Sequence, residues 1–141
     1  MSAGNSILIA NAMVDAITEA ALLQTVTAAR RYVVDFDLKE MTTARVSMVP
    51  SAVREAMQSR GTDVIEIDID VAVQKRAITS EECDALMALT DQIVALFRFV
   101  DFGDDTAKNT AVDRRFIYDQ EGLQDKRLFT SIATMTFKLI G

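Results

Sequence analysis

The sequence predicts an α+β fold: a single domain with a mostly antiparallel sheet of about four strands, two helices packed on one face, long inter-strand loops, and the order α-β-β-β-α-β. Three observations predict it. Two stretches repeat apolar residues at the three- and four-residue spacing of a helix. At least three others alternate apolar and polar residues with the period of two of a half-buried strand. The early strands follow one another with no helix between them, which favours antiparallel pairing with the helices gathered on one side. The chain has 141 residues, 50% hydrophobic and 26% charged, enough for one domain with a real core. Five Gly and one Pro supply few chain-breakers, so long regular elements dominate.

Asn5 or Ser6 caps a first helix that runs to about Leu23, with Ile7, Ala10, Met13, Val14, Ile17 and Ala21 as its apolar stripe. From Arg31 to Lys39 the residues Tyr32, Val34, Phe36 and Leu38 alternate with charged ones, Val33 being the one exception, which predicts a strand. Ala44, Val46 and Met48 continue the alternation to Pro50, which lacks an N–H and weakens the ladder there. Ser51 to Asp63 reads as a projecting connection, a long hairpin arm or one helical turn, with Gly61 as its turn residue. Val64 to Val73 carries the strongest strand pattern, with Ile65, Ile67, Ile69, Val71 and Val73 on one face and Glu66, Asp68, Asp70 and Ala72 on the other. Thr79 and Glu82 stand in capping-box register, with Ser80 as a rival cap, before a second helix to about Val100, whose apolar face is Cys83, Leu86, Met87, Thr90, Ile93, Val94 and Phe97. Asp101 to Asp113, polar and containing Gly103, reads as a long loop. Arg114 to Tyr118 forms a short strand and Asp119 to Lys126 a second connection. In the last strand Phe129, Ala133, Met135, Phe137 and Leu139 face inward, while Thr130, Ser131, Thr134, Thr136 and Lys138 are the polar partners.

Composition excludes several function classes. With no His, imidazole-based catalysis and metal binding are absent. The single Cys83 rules out an intrachain disulfide framework or a Cys-rich metal site. A net charge of −6 speaks against coating DNA with positive charge or docking on an anionic membrane. No apolar run approaches the ~18 residues of a transmembrane helix. Met1 to Asn5 has neither a basic leader region nor a lipidation signal, so the expected site of synthesis is a reducing cytoplasm. Catalytic residues, cofactors and metals are expected to be none.

Glu66, Asp68 and Asp70 are the sharpest constellation. Same-face neighbours on a strand sit about 6.6–7 Å apart, a spacing a paired-carboxylate hydrolase can use. A flat strand face gives no cleft, however, and the chain has no Trp platform; Ca²⁺ needs six to eight oxygens from a curling loop. The triplet therefore reads as a solvated sheet face or as an acidic surface turned toward a partner or channel. Asp101-Phe102-Gly103 copies a kinase tripeptide without the rest of that machinery. Four basic doublets, Arg30-Arg31, Lys75-Arg76, Arg114-Arg115 and Lys126-Arg127, fall at the predicted strand ends. They serve either as edge protection or as the positive half of an interface with a second copy of the chain. Met41, Met48 and Met57 flank the proline connection and suit irregular packing.

The stretches Asp37-Leu38-Lys39-Glu40, Arg45-Val46-Ser47-Met48-Val49-Pro50, Ile67-Asp68-Ile69-Asp70-Val71-Ala72-Val73-Gln74-Lys75-Arg76 and Leu128-Phe129-Thr130-Ser131-Ile132-Ala133-Thr134-Met135-Thr136-Phe137 resemble a family of small proteins from tailed-phage morphogenesis clusters. The order of elements is similar to that of the tail-terminator (tail-completion) proteins of long-tailed phages. The resemblance implies a structural, non-enzymatic virion protein assembled in the host cytoplasm. Its homohexameric ring would cap the tail tube, stop its polymerisation and receive the head–tail connector, with DNA passing through the lumen and no membrane involved. On that reading the basic doublets belong to the subunit interface and Glu66, Asp68 and Asp70 line the lumen or face a partner. The alternatives are a head-completion or connector-adaptor protein of the same neck or, in a different class, a small acidic-site enzyme or ligand-binding domain.

Overall fold

The computed structural model describes residues 3–20, 22, 26–32, 43–59, 62–77, 79–98, 101–102, 107–116, 123 and 128–140. Its elements are α1 (Ala3–Glu19), β1 (Val26–Arg30), β2 (Ala44–Ser59), β3 (Thr62–Arg76), α2 (Ser80–Phe97), β4 (Asp101–Phe102), β5 (Ala107–Phe116) and β6 (Leu128–Ile140). All the described strands lie in one sheet, in the order β1-β2-β3-β6-β5-β4. Neighbours are antiparallel except for β1, which pairs parallel with Ala44–Met48 of β2.

The α+β class and the mostly antiparallel sheet are as expected, but the sheet is wider than four strands. Two strands lack the pattern that would have announced them. β1 is Val-Thr-Ala-Ala-Arg, too short and too rich in Ala to alternate. β5 occupies most of the predicted 101–113 loop and includes Arg114 to Phe116 of the strand expected there. Its register steps past Thr110, pairing Asn109 with Phe137 and Ala111 with Thr136; this bulge breaks the period of two. The Asn109 side chain, fully buried, holds the bulge together: its Nδ2 donates to the Ala111 carbonyl at 3.1 Å and the Thr136 carbonyl at 3.0 Å.

The connection from Ser51 resolves into a hairpin arm, not a helical turn, because β2 runs through Pro50 to Ser59 and pairs with β3 along its length. The strand predicted over Arg31–Lys39 does not begin at Arg31, which follows β1, and positions 33–42 lie outside the described residues. So do Gly61, Gly103, Tyr118 and the 119–126 connection apart from Leu123.

Helix α2 starts where its capping box places it. Thr79 Oγ1 accepts from the Glu82 N–H at 3.2 Å, and Glu82 Oε1 accepts from the Thr79 N–H at 3.3 Å, satisfying two amides that a helix start otherwise leaves unpaired. It ends at Phe97, short of Val100. Helix α1 stops at Glu19, four residues before Leu23, with the Ala20 N–H shared between the Ala16 and Ile17 carbonyls, a tightened last turn.

A single cluster joins Ile9, Met13 and Ile17 of α1 and Leu86, Leu89, Ile93 and Phe97 of α2 to one face of the sheet, which presents Val46, Met48, Ile67, Ile69, Val71, Val73, Phe129, Ala133, Met135 and Phe137. Both helices therefore cover the same face. Each large side chain fully removed from water there contributes about 1.5–3 kcal/mol. Ile7, placed on the α1 stripe by its spacing, is instead exposed. Ser131 also departs from expectation: paired with Val73 and fully buried, it belongs to the core face, and Ile132 takes the other one. The inward position predicted for Leu139 concerns a side chain outside the described residues.

Candidate functional site

The second face of the sheet, away from the helices, carries the acidic triplet. Ladder register places Glu66 between Arg54 and Lys138, Asp68 between Ala52 and Thr136, and Asp70 between Val49 and Thr134. On β5, Lys108 stands opposite Lys138, and Asp113 opposite Thr134. The carboxylates thus share one face, as the period of two requires, and cations flank them in both directions across the strands.

Arg54 reaches this face because of a bulge. Before Pro50 the odd-numbered residues of β2 point to the second face, as with Ser47 opposite Ala72 and Val49 opposite Asp70. The register then slips by one residue at Ser51, so Ala52 and Arg54 take over. Without that slip Arg54 would point to the helical side. The extra residue is itself used: Ser51 Oγ lies 3.2 Å from the Asp68 carbonyl and 3.4 Å from Asp70 Oδ1.

The result is a laced ladder. Arg54 grips Asp68 with two parallel bonds, Nη1 to Oδ2 at 2.8 Å and Nη2 to Oδ1 at 2.9 Å, the fork geometry in which guanidinium binds carboxylate best. Thr136 Oγ1 donates to Asp68 Oδ1 at 2.8 Å, and Thr134 Oγ1 to Asp70 Oδ1 at 2.7 Å. Glu66 is held more loosely, 3.8 Å from Arg54 Nε, with its side chain 42% exposed against 16% for Asp68. The Arg54 hydrogen bonds hold the Asp68 carboxyl below its ordinary pKa, with Thr136 helping and partial burial opposing; Arg54 is raised in return. Such a carboxylate stays ionised and points its lone pairs at fixed donors. Neither a general acid nor a metal ligand is made ready by this arrangement, and no cluster of potential metal ligands occurs among the described residues.

The basic doublets divide. Arg30 Nε donates to Asn11 Oδ1 at 3.2 Å and Nη1 to the Tyr32 hydroxyl at 3.0 Å, with the guanidinium 5.3 Å from the Tyr32 ring centre; it ties β1 to α1. Arg114 Nη1 pairs with Asp91 Oδ1 at 2.9 Å and ties β5 to α2. Arg31 Nη1 donates to Ser47 Oγ and the Val46 carbonyl on the second face. Lys75 is half-buried and engaged within the chain, whereas Arg76 is exposed. The Arg115 side chain and both residues of Lys126-Arg127 lie outside the described residues.

Sequence reasoning missed Arg54, Ser51, Thr134 and Thr136 as partners of the acidic strand. Pro50 inside an alternating run was the available signal, because proline in a strand marks an edge or a bulge, and a bulge inverts the faces beyond it. Cys83 is half-buried, its thiol raised by burial and then by Asp84 and Glu82, the opposite of a reactive thiolate. No helix among the described residues is long and apolar enough to cross a membrane. No protein-family model matches the chain, and no curated protein is significantly similar to it.

Proposed function

We propose that this chain is a structural subunit of the neck of a long-tailed bacteriophage, the tail terminator, acting as a homohexameric ring that caps the tail tube and receives the head–tail connector. The observation that carries the reading is the outer edge of β2 in the β2–β3 hairpin. The hairpin's two strands are 16 and 15 residues long, and among the described residues β1 pairs with β2 only over Ala44–Met48. Beyond that point the outer strand presents Val53, Arg54 and Glu55 to solvent. Among the described residues this edge of β2 has no strand partner beyond Met48, and an open edge offers surface for a neighbouring subunit or a tube end. A heterologous contact repeated by rotation closes into a ring.

Further support comes from where the resembling stretches fall. Arg45–Pro50, Ile67–Arg76 and Leu128–Phe137 lie on β2, β3 and β6, three adjacent strands of the sheet. The second face, with Asp68 held ionised by Arg54 and Thr136, lines the lumen in this proposal, where like charge keeps passing DNA from adhering. The purified chain, imaged by negative-stain electron microscopy, should show rings of six with a central opening. A field of compact particles without an opening would overturn the proposal. A saturable rise in melting temperature with any divalent ion, about 2.7 kcal/mol at a hundredfold excess over Kd, would instead favour an acidic ligand site.

A further inference from the structure

A second cluster of charge sits on the same face as the laced carboxylates, toward the other end of the sheet. Arg45 lies opposite Gln74, and Ser47, two residues on, lies opposite Ala72; same-face neighbours on a strand are about 6.6–7 Å apart. The backbone N–H of Arg31 donates to the Met48 carbonyl at 2.9 Å. From there its side chain returns along β2, where Nη1 is held by Ser47 Oγ at 3.0 Å and the Val46 carbonyl at 3.3 Å. The guanidinium groups of Arg31 and Arg45 therefore share one small area. Arg76, two residues beyond Gln74 and exposed, stands diagonally from Arg45 at about 7–8 Å between strands.

None of these three cations forms an ion pair with a described carboxylate. Arg45 Nε is buried with no acceptor. Burial holds the Arg31 guanidinium below its ordinary pKa, and the neighbouring charge of Arg45 pushes it further down. Among the described residues, Arg31 and Arg45 lie side by side with no carboxylate paired to them and Arg76 stands diagonal to Arg45, a grouping whose complement is an anion.

We infer that Arg31, Arg45 and Arg76 form a binding site for a phosphate group on the second face of the sheet. Guanidinium forks match phosphate oxygens in geometry, and Ser47 with Val46 fixes one arm of Arg31 in advance. Two adjacent guanidiniums with a third arginine diagonal to them suit a group of charge near −2, which a phosphate monoester carries at neutral pH, over a single carboxylate. The net charge of −6 opposes approach of a long polyanion, so a free phosphate or phosphomonoester suits the site better than a nucleic-acid backbone. The inference is independent of ring formation.

The test is the full-length chain's melting temperature, titrated with inorganic phosphate at pH 7.5 and constant ionic strength, with acetate as the carboxylate probe. The expected result is a saturable rise with phosphate alone, its midpoint shifted at least tenfold in Arg45→Gln and largely restored in Arg45→Lys. Circular dichroism of each variant checks the fold, and Arg76→Gln, at an exposed position, gives a second variant with no buried contact to lose. A short fluorescent DNA duplex separates the sources: weak, Arg45-independent binding supports free phosphate, while tight Arg45-dependent binding overturns the preference for a small ligand. No saturable shift, an equal shift with acetate, or an unchanged midpoint in both Arg45→Gln and Arg76→Gln would overturn the site itself.

Discussion

Replacing Asn109 by Asp tests whether one buried amide holds the β5 bulge in place. The substitution keeps the shape and replaces an NH₂ donor with an oxygen. In the native protein Nδ2 bridges the Ala111 and Thr136 carbonyls at 3.1 and 3.0 Å, and the side chain is fully buried. Asn109→Asp leaves both carbonyls facing oxygen. Each buried acceptor stripped of its donor costs about 1–3 kcal/mol, so the expected loss is about 2–5 kcal/mol. For a domain of this size that lowers the melting temperature by about 6–20 °C. The loss should also depend on pH. Burial and the facing carbonyl oxygens raise the new carboxyl's pKa in the folded state above its unfolded value of about 3.9. The native state then holds the proton more tightly, so the variant is least impaired below about pH 4 and loses stability as pH rises through the interval between the two values. Urea unfolding followed by circular dichroism at pH 4 and pH 7 measures both effects. A loss under about 1 kcal/mol, equal at the two pH values, would refute the assignment of the bulge to this side chain.

Three further outcomes are expected. Ile69→Ala, at a fully buried position paired with Met135 at the centre of the sheet, should cost about 2–5 kcal/mol in urea unfolding; a cost below about 1 kcal/mol would mean the core collapses freely around the gap. Thr79→Ala removes the capping box of α2 and should cost about 1 kcal/mol, read as a shift in urea midpoint with unchanged slope. Asp68→Asn should be less stable than the parent at pH 7. Because the Asp68 carboxyl is held below its ordinary value, its contribution is present above the unfolded pKa and disappears as pH falls through the folded one. The two proteins should therefore converge in acid, and a gap that stays constant down to pH 2 would contradict the lacing by Arg54.

Much of the fold was legible because apolar periodicity reports directly on which face is buried. β3 announced itself through five aliphatic residues in alternation, and α2 through Thr79 and Glu82. The sequence was silent where a bulge inverts the faces. Asn109 is buried on the core face and yet polar, since its side chain bonds the Ala111 and Thr136 carbonyls at the bulge, so a core position read as loop. Ser131 was assigned outward on polarity alone, although parity from Phe129 and Ala133 puts it inside. For the candidate face, the alternation of Glu66, Asp68 and Asp70 fixed their common direction. Their neighbours were hidden, because which residue of β2 or β6 stands opposite depends on long-range register and on the slip at Ser51. The basic doublets show the converse limit. Arg30 and Arg114 sit near strand ends, as their positions suggested, yet their partners Asn11 and Asp91 are on helices that no local pattern connects to them.

The mass of the particle in solution bears most directly on the account. Sedimentation equilibrium of the untagged chain across a hundredfold range of concentration should give a species of about 93 kDa, six copies of 15.5 kDa. A species that remains at 15.5 kDa at every concentration would contradict it.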